Sequence, residues 1–426
     1  METVSVAQTA TRAIGRYRWT ICALLFAATT INYIDRQIFG LLAPLLRDVI
    51  GWDDIQYGYI VMAFQGAYAI GLPLFGRFID RYGTKLGYTV SIVGWSLAAM
   101  GHAVATSVLG FGIARTLLGL SEAGNFPCAI KGIAEWFPAK ERALATGIFN
   151  SGANIGAVVA PAIVPFLVIH FGWYGAFLLT GALGFLWLVF WIILYERPDV
   201  SKRVGAEELS YILDGKEEVV TQKIPWRTLL GYRETWSFVL GKFLTDPIWW
   251  FYLYWLPLFL NKQYGLTLTN LGLPLIVIYT MTSIGSIGGG WLSSRFLGMG
   301  WSVNKSRKLV MLICALLVVP IVAAASTSDL WVAVLIIGLA AAAHQGWSAN
   351  LFTLTSDLFP KKAVGSLVGL GGMAGSVGGM IFSATVGYIL EWTGSYITPF
   401  LIAGSAYLIA LLIIQLLIPR MKPVEL

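Results

Sequence analysis

Twelve runs of apolar residues, each long enough to cross a hydrocarbon core about 30 Å thick as a helix, dominate this chain. They lie at 18–40, 57–76, 86–106, 108–131, 143–167, 174–195, 236–260, 268–292, 308–326, 330–352, 364–389 and 395–418. Charged residues make up 12% of the sequence, against roughly a quarter in soluble proteins. Nothing in the pattern resembles a soluble domain. The first run is too long for a cleaved signal peptide and leads straight into further membrane segments. The expected fold is an all-α membrane protein with twelve transmembrane helices.

A net charge of +7 is compatible with nucleic-acid binding, but its distribution points elsewhere. Alternate loops can be assigned to two sides, starting with the N-terminus inside. The inside then collects Arg12, Arg16, Arg18, Arg77, Arg81, Lys85, Lys131, Lys140 and Arg142, and the basic residues of 196–235. It also collects Arg295, Lys305, Arg307, Lys308, Lys361, Lys362, Arg420 and Lys422, while the outer loops hold Arg47 and Lys262. This positive-inside pattern puts both termini in the cytoplasm. The basic character therefore reports topology, and no nucleic-acid partner is expected. Cys22, Cys128 and Cys314 fall inside spans, where they read as small packing residues with no metal-ligand spacing.

The chain divides at 196–235, its longest polar stretch, in which 206–218 reads as a short amphipathic helix with Leu209, Ile212 and Leu213 on one side. The two sides of this linker echo one another. Glu135-Trp136-Phe137-Pro138-Ala139-Lys140 follows the fourth run, and Asp357-Leu358-Phe359-Pro360-Lys361-Lys362 follows the tenth. Gly76-Arg77-Phe78-Ile79-Asp80-Arg81 is likewise echoed by Gly290-Trp291-Leu292-Ser293-Ser294-Arg295. Equal spacing at corresponding places implies duplication of a six-helix unit, with a substrate site between the halves near the midplane. The expected organisation is a cytoplasmic N-terminus (1–17), a first bundle (18–195), the linker (196–235), a second bundle (236–418) and a cytoplasmic C-terminus (419–426).

Four ionisable residues sit where lipid should be: Asp35 and Arg36 in the first run, Arg115 and Glu122 in the fourth. A charge at the bilayer centre costs about 2.5–3.5 kcal/mol even on the lenient insertion scale, so these need partners or a water-filled cavity. At 1.5 Å per residue, Asp35 lies about 25 Å from the inner edge and Arg115 about 10 Å below the outer edge, which is the same level. Glu122 lies about 10 Å deeper on the same helix face as Arg115. Arg36 and Arg115 can hold a carboxylate, bidentately where the guanidinium fork allows. Asp35 beside Arg36 is expected to stay ionised until substrate or proton competes for the pairing. Glu122, with no cation adjacent in sequence, is the expected proton carrier. A static Asp35–Arg115 ion pair is the competing structural reading.

Other polar residues could complete a site for a hydroxyl-rich solute: Tyr33 in the first run, Gln65 and Tyr68 in the second, Asn150 and Asn154 in the fifth, Tyr279 and Ser283 in the eighth, and His344, Gln345, Ser348 and Asn350 in the tenth. Interhelical hydrogen bonding is the alternative for each. The aromatic run Trp249 to Trp255, following Pro247, reads as a wall against an apolar ring face, a gate or an interfacial anchor, and Lys242 with Asp246 as a mutually neutralising pair.

The segment Gly76 to Lys85 resembles the loop signature of the major facilitator superfamily, G-x-x-x-D-R-x-G-x-K. Its carboxylate and cations can pair across the halves in one state and release in the other, or can be ordinary interfacial charges. Asp80, Arg81 and Arg142 are the expected gate residues. The segments Asn32 to Gln37, Gly119 to Pro127 and Trp136 to Arg142 resemble the anion:cation symporter branch of that superfamily. Lys242 to Pro257 and Ala343 to Thr353 are most similar to bacterial hexuronate transporters. The resemblance implies a bacterial inner-membrane symporter, expected as a monomer, that takes up a sugar acid with protons and uses no other cofactor. It further implies Asp35 and Glu122 as proton sites, Arg36, Tyr68 and Arg115 as anion ligands, and Tyr33 and Asn154 as hydroxyl contacts. Hexuronates such as glucuronate or galacturonate are the expected solutes, with aldonates such as galactonate or aldarates such as glucarate as the alternative.

Overall fold

A computed structural model of the chain describes residues 15–213 and 225–424. Arg12, Lys216 and the far end of the expected 206–218 helix lie outside the described residues, as do the side chains of Lys140, Lys361 and Lys362. Among the described residues the structure is helical, with no strand. Helix is the expected outcome in lipid, where every backbone polar group must be satisfied within its own segment. The first six helices are α1 (Tyr17–Ile50), α2 (Asp54–Tyr82), α3 (Thr84–Gly101), α4 (Val108–Glu122), α5 (Asn125–Trp136) and α6 (Ala139–Leu194). Two short ones, α7 (Ala206–Leu213) and α8 (Trp226–Leu229), fall in the polar stretch. There follow α9 (Arg233–Tyr254), α10 (Leu256–Tyr264), α11 (Leu268–Gly298), α12 (Val303–Val318), α13 (Leu330–Leu358), α14 (Lys361–Thr393) and α15 (Ile397–Leu417).

Each of the twelve apolar runs is helical over nearly all its length. Among the described residues, seven helices are long and apolar enough to cross a membrane by length and composition alone, one of them Leu144–Leu194. That stretch of α6 holds two of the expected runs, separated at Gly172, whose φ of 69° suits glycine. Other runs are broken or charged. The run 108–131 is split at Ala123–Gly124 between α4 and α5, and 236–260 is split at Trp255 between α9 and α10. The run 18–40 carries Asp35 and Arg36 within α1.

The linker helix α7 is fastened to the start of the chain's first long helix. Glu208 accepts the backbone N–H groups of Tyr17 and Arg18 at 3.1 Å each, serving orphan donors at the α1 N-terminus. The Arg18 guanidinium then bridges Glu208 at 3.1 Å and Glu141, at the start of α6, at 2.8 Å.

Helices α2 and α14 lie against each other from the Asp54 end to beyond mid-length. A Cβ on Gly58 would sit 2.8 Å from the Ser383 carbonyl oxygen, and one on Gly387 would sit 2.6 Å from that of Asp54. Glu391 accepts the Asp54 backbone N–H at 3.3 Å, Gln65 donates to Ser383 Oγ at 3.1 Å, and the Tyr59 and Tyr388 hydroxyls are hydrogen-bonded. Toward the opposite end, marked by Asp80, this seam is not continued: a Cβ on Gly76 of α2, or on Gly365 or Gly369 of α14, would meet nothing within 4 Å. The α2–α14 seam is thus closed at the Asp54 end and open at the Asp80 end.

Replacing Gly58 by leucine should wedge α2 from α14 at a cost to the closed form of about 1–3 kcal/mol, the usual penalty of overpacking. A Ser383→Cys reporter, buried in the parent, should then label several-fold faster with a membrane-impermeant maleimide; unchanged labelling would contradict this closure.

Candidate functional site

The first charged residues to meet are Arg36 and Glu122. Arg36 Nε and Nη2 lie 2.9 and 2.8 Å from Glu122 Oε2, and the side chains are 1% and 0% exposed. Arg36 Nη2 also donates to Asn32 Oδ1 at 3.3 Å, one helical turn back on α1. Rings enclose the guanidinium: the centroids of Tyr33, Phe64, Tyr68 and Trp250 lie 4.7 to 5.2 Å from its carbon. Desolvated cations over aromatic faces recover part of their lost hydration from the ring quadrupoles.

Arg115 is fully buried and faces Phe39, Phe64 and Tyr254 at 4.8, 4.3 and 5.1 Å. None of its three nitrogens has a hydrogen-bond partner among the described residues. Both Asp35 carboxyl oxygens are also buried and make no hydrogen bond within 3.5 Å there, with Thr180 the polar side chain beside them. Phe64 touches both guanidinium groups and so joins the two arginines.

This corrects the expected pairing. Asp35 pairs with neither Arg36 nor Arg115, and Glu122, which has no cation adjacent in sequence, holds Arg36. The cause is rotational: neighbouring residues on a helix project about 100° apart, so Asp35 and Arg36 point different ways. Arg36 instead spans the gap to α4, where Glu122 closes the last turn before the chain breaks at Ala123–Gly124.

Of the remaining expected site residues, Gln65 lies at the interface with α14, bonded to Ser383 and close to Gly379. Asn154 is half-buried on α6, two residues from Gly156, which packs against Thr30 and Tyr33. Tyr279 is turned toward α9: its hydroxyl donates to the Tyr252 carbonyl at 3.0 Å, so it can only accept from a solute. Gln345 and Ser348 are half-buried on α13. His344 is bonded to Tyr407 at 2.6 Å and stacked on Trp249, and Asn350 ties α13 to the Gly289 carbonyl of α11. At the open end Asp80 lies 3.5 Å from Lys131, Arg81 covers the Tyr82 ring, and Arg142 donates to the Phe137 and Ala134 carbonyls. Phe39 and Phe64 were not singled out from the sequence. Their signal is positional, since Phe39 stands seven residues from Asn32 and Phe64 sits four residues before Tyr68.

The profile of the Major Facilitator Superfamily matches residues 25–381 and, in a second match, 297–426. The chain belongs to the major facilitator superfamily. It is a multi-pass membrane transporter, not an enzyme. It is 34% identical over 388 residues to the hexuronate transporter of Escherichia coli strain K12, covering 90% of each chain. It is 35% identical over 309 residues to the galacturonate transporter of Dickeya chrysanthemi, covering 71% of this chain and 89% of the relative. The crystal structure of a D-xylose-proton symporter shares the fold, with a TM-score of 0.77 at 16% identity over 96% of this chain and 100% of the other.

Removing one member of a buried ion pair strands the other. Arg36→Met in this transporter should therefore cost about 3–5 kcal/mol, measured by thermal unfolding in detergent. The double variant Arg36→Met, Glu122→Leu should regain most of that loss. Equal destabilisation by both variants would mean that the pair itself is not what the single change breaks.

Proposed function

We propose that this transporter imports hexuronates such as glucuronate or galacturonate together with protons, by alternating access between two six-helix bundles (18–195 and 236–418) joined by the 196–235 linker. The observation that carries the reading is Arg115: a buried guanidinium with rings on its faces and no hydrogen bond among the described residues, beside an arginine that already has its carboxylate. A cation so enclosed favours a desolvated anion able to present two parallel acceptors, which is what a carboxylate offers. The names of the two relatives above support the sugar-acid class.

The proposed cycle follows from competition. With Glu122 ionised, Arg36 is committed to it; a proton on Glu122 releases Arg36 to join Arg115 in holding the solute carboxylate. Asp35, buried and paired with no cation among the described residues, is the second proposed proton site. Tyr33 and Tyr68, beside Arg36, serve as hydroxyl contacts, with Gln65, Asn154, Tyr279, Gln345 and Ser348 as the further polar lining. On the positive-inside assignment both termini and the Asp80 end are cytoplasmic, so the described state opens inward, in the bacterial inner membrane and as a monomer. Asp80, Arg81 and Arg142 then form the gate that closes when the molecule opens outward. Since Arg115 reads the carboxylate and not the ring, aldonates such as galactonate or aldarates such as glucarate are the second reading.

A thermal-shift panel of uronates, aldonates and aldarates on the purified protein should show stabilisation by glucuronate or galacturonate. In proteoliposomes Glu122→Gln should abolish proton-driven accumulation while sparing counterflow exchange; accumulation that survives sinks the coupling role. Arg115→Lys, which keeps the charge but loses the planar fork, should weaken uronate binding by about tenfold or more.

A further inference from the structure

Helix α9 carries Lys242, Asp246, Trp250 and Tyr254 at intervals of four, on one face. The outer members of this stripe face the arginines: Trp250 lies 5.2 Å from the Arg36 guanidinium carbon and Tyr254 lies 5.1 Å from that of Arg115. The stripe continues toward the open end, with Asp246 about 6 Å beyond Trp250 along the axis and Lys242 about 6 Å further. Helix α14 runs alongside in matching register. Gly379 abuts Trp250 and Gln65, and Gly375, one turn further on, abuts the Asp246 carboxylate.

Lys242 Nζ and Asp246 Oδ2 are 2.7 Å apart, an ion pair that the proposed cycle does not use. It differs from the sealed Arg36–Glu122 pair in one respect. The Asp246 side chain keeps 19% of its surface exposed, whereas Lys242 keeps 7% and rests its ammonium 4.2 Å from the Phe352 ring centre. The pair is neutral as a whole, and Asp246 is its more accessible member.

We infer that Asp246, held in place by Lys242, reads the end of the substrate remote from Arg115 and selects six-carbon acids with one carboxylate over those with two. The inference rests on the proposed role of Arg115 as carboxylate anchor. With one carboxylate at Arg115, the far end of a uronate presents hydroxyl groups, and an ionised Asp246 can only accept from them. The far end of an aldarate presents a second carboxylate, which brings like charge against Asp246 and has no proton to donate. Discrimination comes from this repulsive contact as much as from the attractive one. Arg115 is met at the Tyr254 level, and the rise from there to Asp246 is about 12 Å, the scale of a six-carbon chain with a hydrogen bond of about 3 Å at each end.

The test is a pair of affinities, for glucuronate and for glucarate, measured by calorimetry on the purified full chain. The wild type should prefer glucuronate by about tenfold or more, and Asp246→Asn should move the ratio toward glucarate by about tenfold or more, because the repulsion goes and Lys242 is freed. The ratio cancels any uniform loss from weakened folding. If the unpaired lysine prevents folding, the neutral pair Lys242→Gln, Asp246→Asn should move the ratio the same way by a smaller factor. An unchanged ratio in a variant that still binds glucuronate overturns the inference, as does a wild type that binds both acids equally. A wild type that binds no sugar acid overturns the functional reading instead, and the inference with it.

Discussion

An arginine and a glutamate meeting at 2.8 Å inside a membrane protein, with at most 1% of either side chain exposed, set the terms for everything around them. Neither charge could stay there alone, because effective desolvation amounts to several kcal/mol per ion. The surroundings show how the cost is met. Asn32 supplies an acceptor from one turn back, four rings cover the guanidinium, and Glu122 sits at the end of a helix that breaks directly after it. One of these rings, Phe64, also faces Arg115, which has aromatic faces and no carboxylate partner among the described residues. Of the two buried carboxylates only Glu122 pairs with an arginine, and the Arg115 left without one is the chemical basis of the proposed anion site.

The helices that carry this cluster are discontinuous close to it. The break between α4 and α5 follows Glu122, and the break between α9 and α10 follows Tyr254, the ring over Arg115. Irregular backbone at membrane depth is tolerated where protein or water covers it, and such breaks commonly accompany transport sites. Tyr57 exploits the second break by donating to the Tyr254 carbonyl at 2.6 Å, a bond from α2 to α9. The site and the closed end of the bundle are therefore joined through the same few residues.

Much of this was legible in the residue order, and the parts that were not share a cause. Apolar run length and loop charge depend on composition along the chain, so the helices emerge directly, while the breaks at Ala123–Gly124 and Trp255 do not. The candidate residues Arg36, Arg115 and Glu122 emerge from the cost of charge in lipid. Their pairing does not, because it depends on helix rotation and on the reach of an arginine across a gap. Reading Asp35 and Arg36 as partners treated adjacency in sequence as adjacency in space. The clasp of Arg18 on Glu208 was hidden for the same reason, its members being 190 residues apart. Which end of the bundle is closed is a tertiary fact with no local signature at all.

The closed end rests largely on glycines: Gly58 against the backbone near Ser383, Gly387 against Asp54 and Ile55, and Gly40 against Leu253 and Tyr254. Contacts of this kind are built mainly from dispersion between backbones, each pair of atoms worth only about 0.1–0.2 kcal/mol, with few side-chain rotamers to freeze or release. A seam so made parts without stranding a buried charge, and its two arrangements need not differ much in free energy. A solute can shift such an equilibrium only by its differential affinity for the two states, and reversing one from 1:99 to 99:1 takes about 5.5 kcal/mol. A single carboxylate gripped in one state and released in the other can supply a large share of that. The glycine seam is what lets so small a ligand act as the lever for so large a machine.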